Sequence, residues 1–425
     1  MINQNSLQAV ASARINDHIG KPLYDSYCFS QIPQTIYHLL TGEGEIGLPV
    51  TVLGDLPHRY NQVILLFIDG FGWRFFEQYG QQFPFLQRFI TDGVVSQLTT
   101  QFPSTTANHV TTMNSGLPVG ESGVYEWYYY EPQLDAIISP LLFSFAGDKQ
   151  RNTLQSTGIS PQKLFPTQTI YQKLQTHGVQ SYCFQHQNYA FSPFSQTVCN
   201  GAKMVSYRTL PEALVNLTEI VIAQSQPTYS YFYVDSIDAI CHRYGPDSPQ
   251  LVAEIDNFCV TMEHLFHASL SGKLNNTLVL MTADHGQTKV LPETTIYLNQ
   301  LIPELKKIIK TNAQGKPLVP AGSARDLFLY IEEEYLDKAE LMLTEKLAEY
   351  ATVYRTSKMI ESGFFGSHPP SKTLLNRLGN LVVLPHKQHT VWWYEANRFK
   401  VYNQGHHGGL SAAEMETILL ALPYG

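Results

Sequence analysis

Residues 278–288 read LVLMTADHGQT, and this stretch constrains the fold more than any other. Four consecutive apolar residues read as a strand buried on both faces, the mark of a parallel sheet covered by helices. The run stops at Asp284-His285-Gly286, where a carboxylate and an imidazole sit side by side before a glycine-containing loop. Open α/β sheets collect their ligands there, beyond the carboxyl ends of the strands. One such ending is a weak sign, since an Asp at a strand end is most often a turn or cap residue. The chain repeats it, however. QVILLFI at 62–68 ends at Asp69-Gly70, and a strand at 229–234 runs into Asp238-x-x-x-His242.

Helical patterns separate these runs, over 73–89, 106–113, 169–176, 210–224 and 249–268, the last opened by Ser248-Pro249 as cap and first-turn proline. With further strands at 94–100, 180–184 and 277–281, the alternation predicts an α/β fold with a mostly parallel central sheet flanked by helices. Beyond Lys289 the pattern loosens, and short strands at 327–331, 381–384 and 391–394 predict a smaller α+β lobe roughly within 290–400. Residues 1–55 are read as an extension packed on a catalytic domain spanning 56–425, with a short helix at 32–40. Ser411-x-x-Glu414 has the form of a capping box and predicts a last helix reaching Ala421.

Composition narrows the function classes. A chain of 425 residues with 44% apolar content has room for a large core. Acidic residues outnumber basic ones, 36 to 28, and the net charge of −8 argues against general nucleic-acid binding, which needs clustered Lys and Arg. The five cysteines are scattered without any CxxC spacing, so reduced, buried thiols are expected rather than disulfides or a thiolate zinc site. The N-terminal stretch holds no apolar signal segment and no run reaches the length of a bilayer span. A soluble cytoplasmic protein with no membrane span is therefore expected.

The candidate chemistry lies in five segments: Asp69, Thr105 at a helix entrance, Asp238 with His242, Asp284 with His285, and His406-His407 in a glycine-rich loop near the C-terminus. Singly, each has a bland reading; His242 alone reads as a surface histidine and His406-His407 as a loop pair. Jointly they place three carboxylates, three histidines and a hydroxyl at one expected edge of one sheet. Carboxylate oxygen and imidazole nitrogen without sulfur suit zinc or manganese. Seven donors exceed one tetrahedral ion and suit two dications about 4 Å apart, the spacing used for in-line displacement at phosphorus. A threonine hydroxyl bound to a dication ionises near neutral pH, and the amides of a helix N-terminus favour an anionic substrate.

Taken in order, Asp69-Gly70, Phe102-Pro103-Ser104-Thr105-Thr106-Ala107-Asn108-His109, Asp238-x-x-x-His242-x-x-Gly245-Pro246, Asp284-His285-Gly286 and His407-Gly408 resemble the alkaline phosphatase superfamily. Within it the chain is most similar to the nucleotide pyrophosphatase/phosphodiesterase (type I phosphodiesterase) branch, from about Ile64 to the C-terminus. The resemblance implies an alkaline-phosphatase-like fold and hydrolysis of phosphodiesters or nucleotide pyrophosphates through a phospho- or nucleotidyl-threonine. It implies a small-molecule phosphate ester or nucleotide as substrate and two divalent ions, zinc before manganese. That family's threonine lies three residues before its Asn, which points to Thr105, with Ser104 as the rival nucleophile. By the same likeness Asp69, Thr105, Asp284 and His285 hold one ion, and Asp238, His242 and His407 the other. Asn108 and Arg325 are candidate substrate-binding residues. The aromatic run opening at Trp127 and the pair Trp392-Trp393 are a candidate wall for a base or another leaving group.

The chain departs from that pattern at named positions. Cys241 stands where the family has Gly, and Ser122-Gly123 where it has His-Gly. The phosphoryl-binding Asn that follows is missing, with Glu126-Trp127 in its neighbourhood. A phosphomonoesterase or phosphonate-ester hydrolase on the same core is the alternative reading, and a metal-stabilised binding protein a more distant one. No Cys- or Ser-x-Pro-x-Arg sulfatase motif is present in this segment, and the chain lacks room for the inserted domain of phosphoglycerate mutase relatives.

Overall fold

The computed structural model describes residues 1–16 and 18–425. Seven strands form the central sheet: β1 (Gln62–Ile68), β2 (Val94–Thr99), β3 (Gln180–His186), β4 (Lys203–Tyr207), β5 (Thr228–Val234), β6 (Thr277–Thr282) and β7 (Glu416–Tyr424). Their spatial order is β2-β7-β6-β1-β5-β3-β4. β1 lies in the middle, parallel to both β6 and β5. Every strand runs the same way except β7, which is antiparallel to its two neighbours.

The unbroken apolar runs follow from burial on both faces. In β1, Val63, Leu65 and Phe67 enter one core cluster and Ile64, Leu66 and Ile68 the other. β6 divides in the same way, Leu278 and Leu280 against Val279 and Met281. Each such side chain contributes roughly 1.5–3 kcal/mol of burial free energy, so a polar residue at any of these apolar positions would cost stability. A second, three-stranded antiparallel sheet of Leu327–Leu329, Leu381–Pro385 and Ala351–Arg355 carries its own apolar cluster with helix Leu336–Leu347.

The expected last helix is corrected. It stops after Ala412–Met415, and the chain enters β7. Ser411 and Glu414 do meet, but Glu414 is drawn into a buried pair with Arg325, and Ile418 to Leu422 are buried without a polar face. Such a run can only be accommodated inside the sheet. The helix expected over 73–89 divides into Trp73–Tyr79 and Pro84–Thr91, because Pro84 cannot continue the first helix and instead opens the second. A helix not foreseen, α2 (Ser236–Tyr244), follows β5, while α1 (Thr106–Ser115) follows the turn after β2. Among the described residues no helix is long and apolar enough to cross a membrane.

Candidate active site

Since β1, β5 and β6 are parallel neighbours, their carboxyl ends deliver Asp69, α2 and Asp284 to one place. Gly70 makes the approach possible: its φ is +73°, and a Cβ there would lie 3.0–3.2 Å from Asp238. Its amide donates to Asp284 Oδ1 at 3.0 Å. On α2, Asp238 and His242 stand one turn apart, with His242 Nε2 3.3 Å from Asp238 Oδ2. Gln287 donates to Asp238, and Tyr233 donates to Asp69 Oδ2.

The three histidines share one orientation. Nδ1 of His242 faces the Gly405 carbonyl at 2.8 Å, that of His285 the Gly286 carbonyl at 3.0 Å, and that of His407 the Ser104 carbonyl at 2.8 Å. A carbonyl only accepts, so each Nδ1 carries a proton and each Nε2 points inward; in His285 and His407, kept neutral by burial, that nitrogen presents a lone pair. His242 Nε2 and His407 Nε2 face each other at 3.2 Å. Asp284 Oδ2 is buried and accepts no hydrogen bond. Burial and the repulsion of Asp284 and Asp238 push the Asp69 carboxyl well above its usual range, and burial raises Asp284 too. Burial lowers His285 to about 4; burial and then the neighbouring imidazoles push His407 well down. Acceptors facing acceptors, with neutral imidazoles among crowded carboxylates, form a set that a cation completes. Asp69, Asp284 and His285 make one compact group of donors, and Asp238, His285 and His407 a second, with His285 between them.

The helix entrance places the hydroxyls differently from expectation. Thr105 is the N-cap of α1, in extended conformation, and its Oγ1 points to the Tyr125 carbonyl at 3.5 Å. Thr106, the first helical residue, brings Oγ1 to 3.2 Å from His285 Nε2 and 3.5 Å from Asp69 Oδ1. The hydroxyl beside the donor groups is therefore that of Thr106. Ser104 is occupied elsewhere, donating to the Gly409 carbonyl and accepting from the Gly408 amide. His109, lowered to about 4 by burial, binds the Gln101 amide and the Thr105 carbonyl and so pins this turn.

Both candidate substrate-binding residues have their polar groups occupied within the fold. The Asn108 amide is fully buried, donating to the Pro103 carbonyl and accepting from Gln101 Nε2, both at 2.6 Å. Arg325 is 1% exposed and grips Glu414 through two bonds of 2.9 and 2.8 Å, with its third nitrogen on the His389 carbonyl. Neither has a group free for a phosphate. Cys241 is buried in the apolar cluster beneath α2, its thiol raised by burial.

Two cavities of about 190 and 390 Å³ meet here, sharing Thr106, Trp127 and Asp238. The smaller runs from Asp69 past Leu142 and Phe194 to Gln185 and Tyr189. The larger holds His242 and His407 and is walled by Glu126, Tyr128, Trp392 and Phe399. Of the expected aromatic wall, Trp127, Tyr128 and Trp392 face the cleft, whereas Tyr129 is fully buried and Trp393 lines a separate groove.

The structure aligns with murine ectonucleotide pyrophosphatase / phosphodiesterase 5 at 19% identity and a TM-score of 0.63, covering 85% of this chain and 87% of that one. An inactive form of that murine protein in complex with AMP aligns over the same shares at 19% identity with a TM-score of 0.62, as does the human protein at 18%. At such identities the likeness establishes the fold, which is alkaline-phosphatase-like. No curated protein sequence matched the chain. The profile of the type I phosphodiesterase / nucleotide pyrophosphatase family matches residues 63–410, well over half of the sequence and spanning every segment of the cleft described above. This chain belongs to the type I phosphodiesterase / nucleotide pyrophosphatase family of phosphodiester hydrolases.

Proposed function

We propose that the chain hydrolyses phosphodiesters or nucleotide pyrophosphates with two divalent ions, zinc before manganese, and with Thr106 as the nucleophile. Asp69, Thr106, Asp284 and His285 would hold one ion, and Asp238, His242 and His407 the other. The observation that carries this reading is the meeting of two cavities at Thr106 and Asp238. A diester has two organic groups to place, one retained and one lost, whereas a monoester has one.

Two dications held by these donors would neutralise phosphate charge and lower the pKa of a bound hydroxyl. Thr106 Oγ1 attacks phosphorus in line, and the P–O bond to the departing group breaks as the threonine ester forms. The retained group fits the cavity beside Asp69. The departing group leaves toward His242 and His407, and water then cleaves the threonine ester from the vacated side. Thr106 and Ala107, the first residues of α1, line the cleft, so the helix N-terminus faces the phosphoryl oxygens. Comparing bis-p-nitrophenyl phosphate with p-nitrophenyl phosphate, with zinc or manganese added, tests the reading. Faster turnover of the diester is expected, and a preference for the monoester would turn the assignment toward a phosphomonoesterase.

A further inference from the structure

Glu126 is the carboxyl lining the larger cavity, besides Asp238, and the mechanism above does not use it. Glu126 is 1% exposed and lines the larger cavity with Thr106, His242 and His407. Its carboxyl meets that of Asp326, which is fully buried. Asp326 Oδ1 accepts from the Ser323 amide and hydroxyl, whereas Oδ2 accepts nothing from any ordinary donor. Ser323 Oγ also lies 3.2 Å from the His407 carbonyl oxygen, so Asp326 stands behind that wall of the cleft. Among the described residues no Lys or Arg pairs with either carboxyl: Arg325 is held by Glu414, and Arg398 by Glu395 and the Ala146 carbonyl.

Two adjacent buried carboxyls without a cation cannot both ionise, and one proton is shared between them. Burial moves Glu126 up to about 8, and burial with the Glu126 charge raises Asp326. The other titratable groups facing the pair are Tyr125 and Tyr128, both themselves raised by burial, with Arg398 acting on Tyr128. The negative charge left on the pair opposes the pull of dications in the neighbouring donor groups.

We propose that Glu126, backed by Asp326, is the general acid for the departing oxygen, and that the natural substrates are diesters losing an alkyl alcohol. This rests on the hydrolase reading above. As the P–O bond breaks, the Glu126 proton passes to the departing oxygen, giving the free alcohol and a Glu126 carboxylate. The water that cleaves the threonine ester returns a proton to Glu126, so diester plus water yields monoester plus alcohol. Phosphate and p-nitrophenolate leave readily without a proton; an alkoxide does not. An acid at this place matters only for the latter.

The test uses zinc-loaded full-length protein and thymidine 5′-phosphate esters differing only in the alcohol lost, from p-nitrophenol through phenol to methanol. Glu126→Gln keeps shape and hydrogen bonding but has no proton to give. It is expected to lower kcat on the methyl ester by roughly 100-fold or more, and on the p-nitrophenyl ester by less than about threefold. Metal content and melting temperature should stay at wild-type values. Equal losses on both esters overturn the proposal. Should the variant not fold, the wild-type series decides: a shallow dependence of rate on alcohol acidity supports it, and a steep one overturns it. Ready p-nitrophenyl hydrolysis with a steep series sinks the general acid alone, whereas no hydrolysis of any ester sinks the hydrolase reading with it.

Discussion

Replacing Thr106 by valine keeps the volume of the side chain and removes only its hydroxyl. That hydroxyl lies 3.2 Å from His285 Nε2 and 3.5 Å from Asp69 Oδ1, so nothing else in the turn takes its place: Ser104 is tied to Gly408 and Gly409. Losing the attacking oxygen should cost about 10⁴-fold or more in kcat, about 5 kcal/mol or more of activation free energy. The control is Thr105→Val. Its hydroxyl reaches the Tyr125 carbonyl at 3.5 Å, the outer limit of a hydrogen bond, and is worth at most about 1 kcal/mol. If that whole amount appeared in the transition state it would change the rate only about fivefold. Hydrolysis of bis-p-nitrophenyl phosphate by the two variants, with metal content and thermal melting measured alongside, separates them. An inactive, folded, metal-replete Thr105→Val beside an active Thr106→Val would refute the assignment of the nucleophile.

Arg325→Met should leave the buried Glu414 carboxylate without its cation and lower stability by about 3–5 kcal/mol in urea unfolding. A variant of wild-type stability with a raised KM would instead return Arg325 to a substrate role. Tyr233→Phe removes the donor to Asp69 and should weaken metal binding about 10–100-fold in chelator competition; an unchanged affinity would remove Tyr233 from the support of the site. His109 is neutral in the fold, because burial holds it near 4, while the unfolded chain protonates it near 6.5. The unfolded state therefore binds the extra proton first. Its contribution is fully present above about pH 6.5 and is lost as pH falls toward 4, on the order of 3 kcal/mol. An NMR titration finding His109 protonated near pH 6.5 in the folded protein would contradict this.

The parallel strands were legible because burial on both faces leaves unbroken apolar runs, and their order along the chain told which ends would converge. Asp69, Asp238, His242, Asp284 and His285 lie together because parallel neighbours share one edge, and His407 reaches the same edge because antiparallel β7 begins where the others end. What escaped depended on which partners the folded chain brings to each polar group. Glu414 follows a helix cap motif, yet Arg325 claims it from 89 positions away and the chain turns into β7. Asn108 and Arg325 carry groups that bind phosphate in general, but Gln101, Pro103 and Glu414 occupy those groups here. The support from Tyr233 and Gln287 was also invisible, since a tyrosine ending a buried strand is ordinarily core.

The choice between Thr105 and Thr106 shows the limit of counting residues. Thr105 lies three positions before Asn108, as the family's spacing asks. Spacing to Asn108 carries no geometric meaning here, because that side chain faces the turn and not the cleft. What decides is where the first helical residue falls. Thr105 is extended, with φ −130° and ψ 151°, and its side chain leaves on the Tyr125 side. One residue later the backbone is helical, and successive side chains turn by about 100°. That step sends the Thr106 hydroxyl toward the tips of β1 and β6. Helix ends are set by the whole turn, here by His109 binding both the Gln101 amide and the Thr105 carbonyl. An insertion of one residue between Pro103 and Thr106 should therefore abolish turnover while leaving both donor groups able to bind metal. Retained activity in that insertion protein would mean that the hydroxyl is recruited by the metals and not by the helix.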